Sequence, residues 1–136
     1  KLMHEAENSG IPLACHFQAM NDGMLCGKPE HVSLTAQGQV FSWMNRRDMG
    51  NRLCSASQEA VITVDREGRV SATVVNAAFH RKKPVDFSSF GPCSEAVLFS
   101  SGTVLPPSSF TQSNVLDQAA GGTLQMPPHS VLFLRF

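Results

Sequence analysis

Two runs of alternating residues, Glu59 to Asp65 (EAVITVD) and Arg69 to Asn76 (RVSATVVN), flank the tetrad Asp65-Arg66-Glu67-Gly68. Val70, Ala72 and Val74 fall on one side of the second run and Ser71 and Thr73 on the other, the period-two pattern of a strand. Gly68 is placed to accept the positive φ angle that a tight connection needs, so the pair predicts a β-hairpin. Further short strands are predicted over Val85 to Phe87, Glu95 to Ser100, Thr123 to Met126 and Ser130 to Phe136, separated by segments rich in Pro, Ser and Gly. About seven or eight strands punctuated in this way define a mainly β fold, an antiparallel β-sandwich, which is assigned to residues 51–136.

The first fifty residues follow a different grammar. Ile11 to Met20 (IPLACHFQAM) carries apolar side chains on both faces, the pattern of a strand covered on both sides in a parallel sheet. It runs into Asn21-Asp22-Gly23, a turn signal, and a loop is expected through Cys26-Gly27-Lys28-Pro29. A helix follows: Thr35 is a natural N-cap, Val40, Phe41 and Met44 recur at three- and four-residue spacing, Arg46 and Arg47 fall in the last turn, and Gly50 is the stop. One such strand and one helix cannot close a parallel sheet, because the strand needs neighbours on both edges and helices above and below. Residues 1–50 therefore read as an unfinished unit, which either packs on the sandwich or finds its missing strands in other polypeptide.

Composition narrows the partners. Among 136 residues, eleven basic and eleven acidic side chains cancel to zero formal charge, so no field steers the chain towards nucleic acid or an anionic membrane. The sequence is 42% hydrophobic and 16% charged, a globular balance, with no run near the roughly 18 apolar residues of a membrane helix. Cys15, Cys26, Cys54 and Cys93 are irregularly spaced with no C-x-x-C, which disfavours a zinc knuckle. Free thiols are favoured, with two disulfides in any of three pairings left open. KLMHEAENSG at the start has no signal-peptide features, which fits either a cytosolic protein or a piece of a longer one, so the compartment stays open.

Leu13-Ala14-Cys15-His16-Phe17-Gln18-Ala19-Met20-Asn21 resembles the "I-A-C-x-A-Q-x-V-N" strand of the α-L-arabinofuranosidases of glycoside hydrolase family 51, where it is the last strand of a catalytic (β/α)8 barrel. Leu34-Thr35-Ala36-Gln37-Gly38-Gln39-Val40-Phe41-Ser42-Trp43-Met44 is similar to that family's "L-T-P-T-x-x-V-F-x-M" opening of the final barrel helix, with Gly50-Asn51-Arg52-Leu53 as the exit. Val74-Val75-Asn76-Ala77 resembles "x-V-N-x-S", Ser108 to Val115 a degenerate "N-(S/T)-F-x-x-P-x-x-V", and Pro127-Pro128-His129-Ser130-Val131 the closing "L-P-P-x-S-x". The motifs are individually weak but run in family order along nearly the whole chain. Departures are the missing proline near Ala36 and the lost first Asn of the Asn-(Ser/Thr)-Phe motif.

The resemblance implies a division into residues 1–50, the terminal βα segment of a (β/α)8 barrel, and residues 51–136, a C-terminal sandwich. It implies a retaining glycosidase acting on α-L-arabinofuranosides or related plant polysaccharide glycosides. Such enzymes use two carboxyls about 5–5.5 Å apart. In the family both are glutamates on barrel strands four and seven, upstream of the strand seen here. The implied partners are thus an upstream barrel-containing polypeptide and a carbohydrate substrate, with no cofactor. The acids Glu5, Glu7, Asp22, Glu30, Glu59, Glu67 and Glu95 show no catalytic motif and read as solvated surface. Gln18 matches a glutamine that binds sugar hydroxyls in the family; its amide offers both a donor and an acceptor. Asn21, at the C-terminal end of the same strand, is placed on the rim where such barrels bind substrate.

Other constellations are weaker. Cys15 and His16 are adjacent in a strand and point to opposite faces, and His4, His31, His80 and His129 lack chelating spacing, so no metal is expected. No G-x-S-x-G elbow is present. His80-Arg81-Lys82-Lys83 reads as a solvated basic hairpin tip, and Trp43 as a core residue of the helix. The rival reading is a stand-alone, non-catalytic β-sandwich module that binds carbohydrate or protein, with residues 1–50 packed on it as an appendage.

Overall fold

The computed structural model describes residues 24–28, 30–48, 50–101 and 109–136. The strand expected over Ile11 to Met20 lies outside them. Where a loop was expected, β1 (Leu25–Lys28) and β2 (His31–Leu34) pair as an antiparallel hairpin, with Gly27 opposite Val32 at φ +121°. Glycine and lysine there read as loop formers because pairing that short depends on the partner strand rather than on propensity.

Helix α1 (Ala36–Arg47) begins as its sequence dictates. The Thr35 hydroxyl accepts a hydrogen bond from the Gly38 N–H at 3.1 Å, which satisfies one of the donors a helix leaves open at its start. Arg46 and Arg47 occupy the last turn, where their charge complements the helix dipole, and Gly50 turns the chain away at φ +81°. The hairpin lies directly on the first turn: Thr35 N–H donates to the Met24 carbonyl at 3.0 Å. A Cβ at position 38 would stand 2.0 Å from that same oxygen, so only glycine fits.

The remaining strands are β3 (Arg52–Ala56), β4 (Ala60–Val64), β5 (Val70–Asn76), β6 (Lys83–Asp86), β7 (Glu95–Ser100), β8 (Thr111–Asn114), β9 (Thr123–Met126) and β10 (Ser130–Arg135), with a short helix α2 (Leu116–Ala119) between β8 and β9. Six of them form one antiparallel sheet in the order β3, β4, β5, β10, β7, β8; β6 and β9 pair separately. The β4–β5 hairpin has the expected register, Val64 opposite Val70, and Gly68 takes φ +83° at its turn. Two strands were not anticipated. β3 carries a bulge between Leu53 and Ser55, and β8 (TQSN) has no apolar residue at all; both are edge strands whose pairing is set by their neighbours.

The central strand β10 explains the layers. Leu132 and Leu134 point to one face and Val131 and Phe133 to the other, and all four are buried. On the first face Leu132 and Leu134 join Ala72, Val74 and Ala96 of the sheet against Leu124 and Met126 of β9, Phe87, and Val115 and Ala119 around α2. On the second, Val131 and Phe133 join Val97 and Phe99 against Met44, Val40 and Trp43 of α1. The result is three layers: the β6–β9 pair with α2, the six-stranded sheet, and α1. The fold is mainly antiparallel β, with sandwich packing on one face of the large sheet.

Candidate functional site

Gln18 and Asn21, the residues singled out for sugar binding, lie outside the described residues, as do Glu5, Glu7, Asp22, His4, Cys15 and His16. Of the acids read as solvated, Glu30, Glu59 and Glu67 are exposed. Glu95 is half-buried and paired: Arg47 Nη2 lies 2.6 Å from its Oε1. His31 and His80 are exposed and His129 is partly buried; among the described residues no three His, Cys, Asp or Glu side chains come together as a metal site. Cys54 and Cys93 are free thiols, Cys54 on the surface and Cys93 with its Sγ 2.9 Å from the Glu95 carbonyl oxygen. Trp43 packs as expected, its ring 5.6 Å from Phe99 edge-on and 5.7 Å from Phe133.

A crevice forms where the C-terminal end of α1 meets the sheet. Trp43, Arg47 and Asp48 line it from the helix side, and Ser71, Thr73, Glu95, Phe133 and Arg135 from the sheet. The Arg47 guanidinium sits over the Trp43 ring at 5.0 Å while it pairs with Glu95, so cation–π attraction and the ion pair hold the same group. Asn51 fixes the helix exit, donating to the Thr63 hydroxyl at 3.3 Å within the buried interior. The crevice has a volume of about 20 Å³, where a single water needs roughly 10–15 Å³. A sugar ring does not fit. Arg47 pairs with Glu95 and Arg135 with Asp65, so the crevice behaves as a seam that locks α1 to the sheet.

Beside it, Asp65 gathers the β4–β5 turn. Its Oδ1 accepts from the N–H groups of Glu67 at 3.0 Å and Arg69 at 2.9 Å, and its Oδ2 accepts from Arg69 Nε at 2.6 Å and Arg135 Nη2 at 2.9 Å. Burial opposes the carboxylate, but the hydrogen bonds from the Arg69 backbone and side chain and from Arg135, with the Arg69 charge, outweigh it and hold the pKa at about 2. Sequence reading took Asp65 only as a turn residue; the long-range partner Arg135 is invisible without the topology.

Asn76, part of the "V-N" motif, is 4% exposed. Its Nδ2 lies 2.9 Å from the Arg81 carbonyl oxygen, 3.3 Å from that of Met126 and 2.8 Å from that of Pro127, and its Oδ1 accepts from Ala78 N–H at 3.2 Å. One side chain thus ties the segment after β5 to the turn before β10. That segment is not a hairpin tip: β5 belongs to the six-stranded sheet and β6 to the other, so residues 77–82 cross between layers.

No protein-family model and no curated protein matches the chain. Its fold is similar to the crystal structure of the GH51 arabinofuranosidase from Xanthomonas axonopodis pv. citri, with a TM-score of 0.53 at 13% sequence identity. The match covers 88% of this chain and 30% of that chain. At that identity the likeness is one of fold, and the chain corresponds to under a third of the larger protein.

Proposed function

We propose that the chain is the C-terminal portion of a retaining glycoside hydrolase acting on α-L-arabinofuranosides or related plant polysaccharide glycosides. The observation that carries this reading is the fold likeness, read together with the order of the motifs. The motifs follow the order of the arabinofuranosidase family along the chain, and 88% of the chain matches the fold of a GH51 arabinofuranosidase. In this reading residues 1–50 are the terminal βα segment of the barrel and residues 51–136 the sandwich. The two catalytic glutamates sit on upstream polypeptide, which is the necessary partner. The crevice between α1 and the sheet is small and ion-paired, which fits a packing seam rather than a sugar site.

Gln18 and Asn21 are this chain's contribution to substrate binding. A neutral amide can donate to one sugar hydroxyl and accept from another, orienting the glycone without competing for the reaction's protons. Replacing Gln18 by Ala in the complete enzyme is expected to lower kcat/KM about 10-fold or more, a loss of one or two hydrogen bonds at the transition state. An unchanged kcat/KM on aryl arabinofuranosides removes Gln18 from the site.

One observation favours a second reading. Helix α1 covers the outer face of the sandwich sheet through Val40, Trp43 and Met44, as an appendage of a stand-alone binding module would. The two readings differ in composition of the purified material: the glycosidase brings a longer or second polypeptide, and the module does not.

A further inference from the structure

The segment that crosses between the two sheets carries Phe79, His80, Arg81 and Lys82, all exposed. Phe79 is 58% exposed, the largest value among the exposed large hydrophobic residues described. It is nevertheless held in place: its ring stands edge-on to His129 at 5.0 Å between centroids, with an interplanar angle of 89°. His129 belongs to the turn before β10 and takes φ +47°, a left-handed conformation that a side chain other than glycine adopts at a cost. Its Nε2 is buried and has no hydrogen-bond partner among the described residues. Asn76 stitches the two segments together through its bonds to the Arg81, Met126 and Pro127 carbonyls. The aromatic face and its basic neighbours are thus presented on a braced platform, although nothing in the core uses them.

The charges are uneven. Lys83 is consumed by Glu59, its Nζ 2.5 Å from the carboxylate, while Arg81 and Lys82 make no ion pair with a described residue. A fixed aromatic side chain beside two cations that pair with no described acid suits a ligand with C–H-lined rings and carboxylate groups. The ring face stacks on the negative π surface of Phe79, and Arg81 or Lys82 takes the carboxylate. We propose that Phe79, Arg81 and Lys82 form a binding surface for uronate-bearing polysaccharide. The choice of a glycan rests on the glycosidase reading. Nucleic acid offers stacking bases and phosphates too, but the chain's zero net charge and a footprint of two cations give little to a polymer recognised by extended charge neutralisation.

The test is affinity electrophoresis of the purified protein in native gels containing polygalacturonate, neutral arabinan or single-stranded DNA. Polygalacturonate is expected to retard the protein, and raised salt to weaken the retardation. Phe79→Ala is expected to weaken it about tenfold, and Arg81→Ala combined with Lys82→Ala to abolish it. All three side chains are exposed, and an unchanged thermal midpoint verifies that each variant is folded. Absence of retardation, equal retardation of Phe79→Ala, or equal retardation by DNA overturns the proposal. Arabinofuranosidase activity is measured in parallel: activity without polygalacturonate binding refutes this surface alone, and binding without activity refutes the glycosidase reading alone.

Discussion

Asp65 keeps its side chain only 10% exposed at the β4–β5 turn, with Arg69 and Arg135 on one carboxylate oxygen. Its carboxyl titrates at about 2 in the folded chain against an ordinary value of 3.8. A depressed acid stabilises the folded state fully above the ordinary value, and that contribution disappears as the pH falls through the folded one. Stability measured by urea unfolding is therefore expected to drop between pH 4 and pH 2, and Asp65→Asn to flatten that drop while lowering stability at neutral pH. A pH profile identical in the two proteins contradicts this role. Gly38 gives a second expectation, with a sign opposite to helix propensity. Ala is better than Gly in a helix by about 1 kcal/mol, yet here its Cβ meets the Met24 carbonyl oxygen at 2.0 Å. Gly38→Ala is expected to destabilise by about 1–3 kcal/mol, a lower melting temperature by calorimetry. Neither effect was legible in the sequence. Asp65 was visible as a turn residue and Gly38 as a helical glycine, but their partners Arg135 and Met24 come from strand order and hairpin placement.

Helix α1 was readable in sequence because its cap, its apolar spacing and its stop all agree locally. Its dock was only half readable. Trp43 was recognised as packing, whereas Gln39 was given no role of its own. In the structure Gln39 Nε2 donates to the Phe110 carbonyl at 3.0 Å, and Phe110 N–H donates back to Gln39 Oε1 at 2.6 Å, so an amide side chain pairs with backbone as a neighbouring strand would. Gln39→Ala strands both groups of a half-buried residue and is expected to cost about 1–3 kcal/mol. Amide exchange at Phe110 should quicken with it, and unaltered exchange contradicts the dock. Strands with a continuous or alternating apolar pattern, β5, β7 and β10, were legible for the same local reason as the helix. β3 and β8 were not, since edge strands with few inward apolar residues are held by β4 and β7 rather than by their own pattern. The β1–β2 hairpin was hidden in the same way.

For the whole molecule, α1 and the β6–β9 layer cover opposite faces of a single sheet, so β10 is buried on both sides, as a run of Val, Leu, Phe, Leu requires. The division at residue 50 marks a change of sequence grammar, and across it the helix is continuous with the sheet through the Met44, Phe99 and Phe133 contacts. The helix buries its apolar side on the six-stranded sheet through Val40, Trp43 and Met44, so its burial is met within the described residues. In the proposed reading catalysis belongs to residues outside this chain, and Gln18 with Asn21 forms the edge of that site. The most direct measurement is hydrolysis of an aryl α-L-arabinofuranoside by the native protein, isolated through a tag on this chain together with any attached or co-purifying polypeptide, beside the 136-residue chain alone. The native material is predicted to release the aryl alcohol with retention of anomeric configuration and the isolated chain to release none. Hydrolysis by the isolated chain, or no furanoside hydrolysis by the native material, contradicts the account.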